Sequence, residues 1–143
     1  MKKALPQCSK KACWKEFSTM IRVRDCLRTT GCSSWGLCIT CGKRYHIKLL
    51  QAGHFVPGRH TANLFYEQGV HAQCYNCNIN LKGNTLEYRR QIIKLYGEGV
   101  DQEIEANDKK TIQYKKWQYY EMREYFKRRT KELGGMQCQN HLS

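Results

Sequence analysis

Four of the nine cysteines in the chain occur as two Cys-x2-Cys pairs, Cys38/Cys41 and Cys74/Cys77. A gap of two residues lets both thiolates of a tight turn face one ion, and two such turns complete the tetrahedral sulfur set of structural zinc. A single pair would also fit a redox motif. Two pairs in one small basic chain favour zinc, whose binding free energy would add to the folding free energy of a segment with few apolar residues.

The remaining cysteines are Cys8, Cys13, Cys26, Cys32 and Cys138. An odd count without a secretory signal argues against a disulfide framework. The spacings Cys8-x4-Cys13 and Cys26-x5-Cys32 are loose for a second metal site. The alternative is small buried or surface thiols, and we assign these five residues no role.

Two polar residues beside the cysteine pairs, His54 and Asn78, suit phosphodiester hydrolysis. That reaction needs a nucleophilic water, a base that deprotonates it and a cation that stabilises charge on the phosphate. Histidine titrates near neutrality, so His54 suits the base. The amide oxygen of Asn78 suits a hard catalytic ion such as Mg²⁺ or Mn²⁺. The alternatives are a structural histidine and an asparagine that caps a helix.

Three further residues near His54 are candidates for the same site. The guanidinium of Arg59 would grip the scissile phosphate bidentately, or it would remain solvated. His60 and His71 are each candidates for a ligand, a phosphate contact or a surface residue, and we place His71 with the catalytic residues.

The charge of this 143-residue chain is strongly positive, with 25 Lys and Arg against 12 Asp and Glu and a formal net charge of +13. Any one charge run fits a solvated helix face, but a field of this size attracts polyanions. Cysteine-bound metal together with this charge points to nucleic acid. The residues that we expect to contact DNA are Arg59, His60, Lys115, Lys116, Arg123 and Lys127.

The hydrophobic pattern predicts helices at the two ends of the chain and short strands between them. The predicted elements are a helix over 10–28, strands within 37–56, irregular chain over 59–72, a helix from about 74–78, a helix over 85–96, a long helix over 111–133 and a frayed end over 136–143. No run of about 18 apolar residues is present, and no apolar stretch follows the basic N-terminus. We therefore expect no membrane partner and a cytoplasmic protein.

The arrangement of these residues resembles that of the HNH (ββα-metal) nucleases. It comprises a histidine at the end of a strand, an asparagine directly after the last zinc cysteine and four cysteines that bracket both. The resemblance implies two strands and a helix around one catalytic divalent ion, with His54 as the base and at the ion, and Asn78 as a ligand. It departs from the common HNH pattern at Gly53, where many members carry an aspartate ligand, and at Gly69, where many carry an asparagine. Candidate replacements are His71, Asn80 and Asn84.

A closer resemblance, from about residue 14 to residue 133, is to the NinG/Rap family of phage recombination proteins. It rests on Cys26-Leu-Arg-Thr-Thr-Gly31, Cys38-x2-Cys41-Gly42-Lys43, Gln51-Ala-Gly-His-Phe55, Arg59-His60, His71-Ala-Gln-Cys74, Cys77-Asn78, Gly83-Asn84, Tyr88 and Tyr96-Gly97. The resemblance implies a phage- or prophage-encoded endonuclease that cuts branched DNA such as Holliday junctions and D-loops in a bacterial host. Because resolving a four-way junction takes two cuts, a homodimer is also an expectation.

The sequence therefore predicts an α+β protein with a small zinc-stabilised ββα-metal core. We expect one domain over 1–143, comprising a basic N-terminal helical segment (1–35), a zinc-bound core (36–97) and a basic helical C-terminal extension (98–143). Two alternatives stay open. One is a catalytically silent zinc module that binds nucleic acid, which Gly53 and Gly69 favour, and the other is an HNH nuclease that acts on duplex DNA.

Overall fold

The computed structural model describes residues 3–58 and 61–134 and has a mixed α+β architecture. The helices are α1 (Lys10–Thr30), α2 (Thr61–Leu64), α3 (Thr85–Tyr96), α4 (Val100–Asn107) and α5 (Lys116–Gly134). The strands are β1 (Trp35–Leu37), β2 (Arg44–His46), β3 (Leu50–His54) and β4 (Val70–Cys74). Short 3₁₀ turns precede β3 and β4, and a π-helical turn over Asn76–Asn80 follows β4.

Helix α1 confirms the helix predicted over 10–28 and extends it by two residues. Ser9 caps its N-terminus by accepting a hydrogen bond from the Ala12 backbone N–H at 3.1 Å. Gly31 ends it in the left-handed conformation with φ 76°, which glycine adopts without steric cost. The apolar face of α1, which includes the fully buried Phe17 and Ile21, forms the largest hydrophobic cluster with α5.

Helix α5 lies along α1 in the same direction. The Cys8 backbone N–H donates to the Lys116 carbonyl at 3.2 Å, and further along the pair the rings of Phe17 and Phe126 lie 4.9 Å apart. The helix begins at Lys116, five residues later than the predicted start at 111, while its end agrees with the prediction. The predicted frayed end over 136–143 lies outside the described residues.

The strands form two antiparallel pairs, β1–β2 and β3–β4. The prediction of irregular chain up to residue 72 and a helix from about residue 74 is wrong for β4, which pairs Val70 with His54 and Cys74 with Leu50. Its central residues, His-Ala-Gln, have little intrinsic strand preference. All five residues of β4 are nevertheless buried, so tertiary packing makes this segment a strand.

The second edge of β4 is bonded by α1 and by the chain after β1. Asp25 accepts a hydrogen bond from the Ala72 N–H at 2.7 Å, and Arg24 donates to the Val70 carbonyl at 2.7 Å. The Ile39 N–H donates to the Ala72 carbonyl at 2.9 Å. These bonds satisfy backbone groups that a two-stranded sheet would leave buried and unpaired.

Helix α3 confirms the helix predicted over 85–96, whereas α4 was not predicted. The two helices share a hydrophobic cluster in which Tyr88, Ile92 and Ile104 are fully buried. Arg89 of α3 also pairs with Asp101 of α4 at 2.6 Å. The expected basic extension from residue 98 therefore opens with an acidic helix that packs on the core.

No helix within residues 3–58 and 61–134 combines the length and the apolar character needed to cross a bilayer.

Asp25→Ala should strongly destabilise the protein, because it leaves the Ala72 N–H and the guanidinium of Arg24 without their buried partner. Removing one member of a buried ion pair costs about 3 kcal/mol or more. Urea unfolding of the zinc-loaded protein measures this change. Glu132→Ala is the matched control, since its ion pair with Arg129 is exposed and should contribute less than about 1 kcal/mol. Equal midpoints for the two variants would contradict the role given to Asp25.

Candidate metal centre and polar site

The four cysteines predicted to bind zinc come together. Their Sγ atoms all lie within 4.8 Å of one another. Cys38 and Cys41 lie in the turn between β1 and β2, while Cys74 ends β4 and Cys77 lies in the π-helical turn. Four thiols from two tight turns, three of them buried, match the closed site of structural zinc. The cluster fits a zinc ion by its donor set and its convergence.

The surroundings of the cluster favour ionised sulfur at one position. Burial opposes ionisation of Cys38, but hydrogen bonds from the Cys41 backbone and the Thr40 hydroxyl lower its pKa to about 7. Burial raises the pKa of Cys41 to about 12 and also raises the pKa of Cys77. In the metal-free protein the Cys38 thiol therefore ionises more readily than the thiols of Cys41 and Cys77.

Asn78 lies against β3 at the glycine that departs from the HNH pattern. The Asn78 amide donates to Gln51 Oε1 at 2.8 Å. A Cβ built on Gly53 would lie 3.0 Å from Asn78 Oδ1. The structure therefore places Asn78 beside Gly53, and the oxygen of Asn78 faces the space that a side chain at position 53 would fill.

His54 is the last residue of β3 and lies on the face that packs against α1. Its ring stacks on Trp14 with centroids 5.1 Å apart and an interplanar angle of 19°. Its Nε2 lies 3.3 Å from the Leu64 carbonyl. Because a carbonyl only accepts, this contact assigns the proton to Nε2 and the lone pair to Nδ1. The ring stacking and this hydrogen bond therefore hold the half-buried imidazole in a fixed orientation.

His71, predicted at the catalytic site, is fully buried between two tyrosines. The Tyr88 hydroxyl donates to the Gly53 carbonyl at 2.6 Å, so the contact with His71 Nδ1 at 3.3 Å is donated by the histidine. His71 Nε2 then accepts from the Tyr96 hydroxyl at 2.7 Å. Burial lowers the pKa of His71 to about 3, so the imidazole is neutral at physiological pH.

Neither asparagine considered as a replacement ligand is directed at Gly53. Asn80 donates to Asn76 at 3.2 Å, and Asn84 donates to Cys77 Sγ at 3.8 Å. Gly69 is buried, and a Cβ there would lie 3.2 Å from the Ile104 side chain. Helix α4 therefore occupies the space next to this position.

Sequence reasoning missed Gln73, which lies on the same face of the sheet as Gly53 and is fully buried. Its Nε2 donates to the Gly83 carbonyl at 3.0 Å and to Thr40 Oγ1 at 3.1 Å. Its Oε1 is buried without a hydrogen-bond partner. The only sequence signal was its position next to Cys74 in a motif already quoted for other reasons.

The predicted DNA contacts are divided between exposed and ion-paired side chains. Lys115 and Lys116 are exposed at the start of α5. Arg123 and Lys127 both pair with Glu124, at 3.2 Å and 3.9 Å. Arg59 and His60 lie outside the described residues, so their predicted roles stay predictions.

A basic groove on α1, within the N-terminal segment predicted to be basic, runs past the tryptophan that stacks on His54. It is lined by Ser9, Lys11, Ala12, Trp14, Lys15, Ser18 and Arg22. Lys11 and Lys15 are exposed, whereas Arg22 donates to the Ser18 carbonyl at 3.2 Å. The groove therefore combines positive charge with an aromatic ring beside the candidate base.

Cys77→Ser should lower the zinc content well below one ion per chain and weaken cooperative unfolding, because structural zinc contributes to folding free energy. Acidification should also release the ion, since protons compete for the sulfurs. Metal analysis and urea unfolding measure both effects. Cys8→Ser is the control and should retain zinc, because Cys8 packs in the α1–α5 cluster. Full zinc occupancy in the Cys77 variant would contradict the assignment.

Comparison with known proteins shows that this chain matches a family of bacteriophage proteins. The family model described as Bacteriophage Lambda NinG protein matches residues 3–135. Protein ninG of Escherichia phage lambda is 35% identical over 71 residues, which are 49% of this chain and 34% of that protein. Protein ninG of Salmonella phage P22 is 34% identical over 74 residues, 51% of this chain and 36% of that protein.

The matched segment spans about a third of the length of these relatives. No solved structure matches the chain. The family model nevertheless covers all the described residues, and the chain belongs to the NinG family of bacteriophage lambda.

Proposed function

We propose that this protein is a divalent-metal-dependent endonuclease of the HNH type that hydrolyses phosphodiester bonds in branched DNA. The observation that carries the proposal is the arrangement of His54 and Asn78 at the end of β3. There His54, oriented through Nε2 by the Leu64 carbonyl, directly follows Gly53, against which the Asn78 oxygen is directed. A base and an oxygen ligand at neighbouring positions are the parts that metal-assisted hydrolysis requires.

In this proposal His54 is the general base. Nε2–H donates to the Leu64 carbonyl, so Nδ1 takes the proton from the attacking water. The stacked Trp14 ring restricts rotation of the imidazole. Both contacts are in place before substrate binds, which reduces the reorganisation needed for the chemical step.

The catalytic ion would be held by the oxygen of Asn78, which fits a hard cation such as Mg²⁺ or Mn²⁺. When bound, the ion would stabilise negative charge on the phosphate. The π-helical turn that carries Asn78 also carries Cys77. Zinc at the four cysteines would therefore fix the backbone that presents Asn78 to Gly53.

We assign His71 a positioning role in place of a direct catalytic one. The neutral imidazole holds the Tyr88 hydroxyl through Nδ1, and that hydroxyl donates to the Gly53 carbonyl. This pair of hydrogen bonds therefore fixes the backbone of Gly53, immediately before His54, from the side of α3. A residue with this burial and pKa is a poor proton acceptor near neutral pH.

The groove on α1 and the start of α5 supply the proposed DNA surface. The exposed Lys11 and Lys15 lie on the helix whose Trp14 stacks on His54. A DNA phosphate backbone bound at these lysines would therefore be directed toward His54. Lys115 and Lys116 begin α5, which lies along α1. Phosphate contacts of this kind position DNA without reading its sequence, which suits a substrate recognised by shape.

The proposal includes a branched DNA substrate, a homodimer that makes paired cuts and a location in the bacterial cytoplasm. The family resemblance supports these three parts.

A second candidate function is a zinc module that binds nucleic acid without cutting it. The observation that favours it is Gly53, which leaves the place of a common HNH metal ligand without a side chain. Metal-dependent cutting separates the two functions, since the silent module would bind DNA and leave it intact.

His54→Ala should lower nicking of a synthetic four-way junction in Mg²⁺ or Mn²⁺ by a factor of about 10² to 10⁴, the usual contribution of a general base. Binding to the same junction should persist. His46→Ala is the control, because His46 lies in β2 and contacts Trp35 and the Lys48 N–H. Wild-type protein that binds but cuts no DNA with any divalent ion would sink the nuclease proposal in favour of the silent module.

Replacing both Lys11 and Lys15 by Gln should weaken binding to all DNA sequences alike. The slope of log affinity against log salt should fall in magnitude by about 2, since each lost phosphate contact contributes about 0.9. Fluorescence anisotropy over a salt series measures the slope. Lys94→Gln with Lys109→Gln removes equal charge from α3 and from the turn after α4, and should leave the slope almost unchanged. The same slope change in both double variants would mean that only net charge matters.

A further inference from the structure

We infer that Gln73 Oε1 and Asn78 Oδ1 together form the protein part of the divalent-cation site, so that a glutamine on β4 provides the ligand missing at Gly53. This inference rests on the proposed function for its purpose. It differs from the three replacements that the sequence suggested, namely His71, Asn80 and Asn84.

The first observation is an unpaired buried oxygen. Gln73 is fully buried, yet its Oε1 accepts no hydrogen bond. A buried amide oxygen without a partner destabilises the folded protein, because its lost hydrogen bonds to water are not replaced. Native structures seldom retain such a group unless water, an ion or a function accounts for it.

The second observation is that hydrogen bonds fix which way the amide points. Gln73 Nε2 donates to the Gly83 carbonyl, a group that can only accept. The amide therefore cannot be reversed without losing this bond, and Oε1 must face β3. Asn78 Nδ2 donates to Gln51 Oε1, and in this arrangement Asn78 Oδ1 faces Gly53.

The third observation is that both oxygens converge on one point. A Cβ built on Gly53 would overlap Gln73 Oε1 and would lie 3.0 Å from Asn78 Oδ1. Both oxygens therefore border the space left by the missing side chain. Because glycine has no Cβ, the side-chain carbonyl of Gln73 can enter the space beside position 53. The glycine that replaces a common metal ligand therefore makes room for the unpaired oxygen of Gln73.

The donor chemistry selects the class of ion. Two neutral amide oxygens are hard ligands that suit Mg²⁺ or Mn²⁺, ions that keep several water ligands when bound to few protein groups. Thiophilic ions would prefer the four cysteine sulfurs. The two metal sites are connected, because the Thr40 hydroxyl lies 3.1 Å from Gln73 Nε2 and 3.3 Å from Cys38 Sγ.

The alternative ligands have other partners. Both ring nitrogens of His71 are engaged by Tyr88 and Tyr96. The amides of Asn80 and Asn84 are directed at Asn76 and at Cys77. Gln73 is the candidate whose oxygen is both buried and without a partner.

The test is Mn²⁺ binding by zinc-saturated protein, followed through loss of the electron paramagnetic resonance signal of free Mn²⁺. Wild type should bind one Mn²⁺ beyond its zinc, and Gln73→Leu should bind it at least about tenfold more weakly. Gln73→Glu should bind it more tightly, because a carboxylate replaces the neutral oxygen. Gln91→Leu is the matched control, since that glutamine bonds Glu87 on α3, and it should bind like wild type.

Gly53→Ala provides a second route to the same answer, because Gln73→Leu also removes donors to Thr40 and Gly83 and could disturb folding. The alanine variant keeps those donors, but its Cβ displaces the glutamine oxygen. It should weaken Mn²⁺ binding at least about tenfold with zinc content unchanged. Mn²⁺ binding equal to wild type in both Gln73→Leu and Gly53→Ala, or no Mn²⁺ binding by wild type, would overturn the inference.

Junction cleavage measured on the same preparations separates this inference from the proposed function. If Mn²⁺ binding depends on Gln73 and no DNA is cut, the cation site stands and the nuclease proposal fails. If DNA is cut and binding is indifferent to Gln73, the nuclease proposal stands and the ligand assignment fails.

Discussion

The structure depends on β4, a five-residue strand whose every residue is buried. One edge pairs with β3, and the other is bonded by Asp25, Arg24 and Ile39. Because the backbone of this strand is hydrogen-bonded along both edges, its side chains have fixed directions. The strand carries His71, Gln73 and Cys74, so the tyrosine contacts, the orphan oxygen and the zinc cluster are all positioned by one element.

Because side chains alternate along β3 and β4, packing residues lie on one face of the sheet and the proposed ion ligand Gln73 lies on the other. Residues on one face, including Ala72, pack toward α1, and the residues on the other face, including Gln73 and Gly53, meet the π-helical turn and α3. His54 closes β3 on the α1 face, where Trp14 stacks on it. The proposed base and ion site thus lie on opposite faces of β3, at its last two positions.

Local patterns were predictable from sequence, and long-range ones were not. The sulfur cluster was predictable because the two-residue gap between Cys38 and Cys41 is typical of a tight turn whose thiolates face one ion. Helix α1 was predictable because its apolar period and Gly31 are local signals. Strand β4 was missed because its burial depends on α1, and Gln73 was missed because an unpaired oxygen is a property of tertiary packing. Asn78 was predicted from the sequence as a metal ligand, whereas its position beside Gly53 is seen only in the structure.

The central claim is that a zinc-held frame presents a separate site for a hard cation beside His54. Anomalous diffraction from crystals of the zinc-loaded protein soaked in Mn²⁺ tests it most directly, because the two ions scatter differently at chosen wavelengths. The account predicts zinc among Cys38, Cys41, Cys74 and Cys77, and manganese between the oxygens of Gln73 and Asn78. Manganese bound elsewhere, or a cluster without zinc, would contradict it.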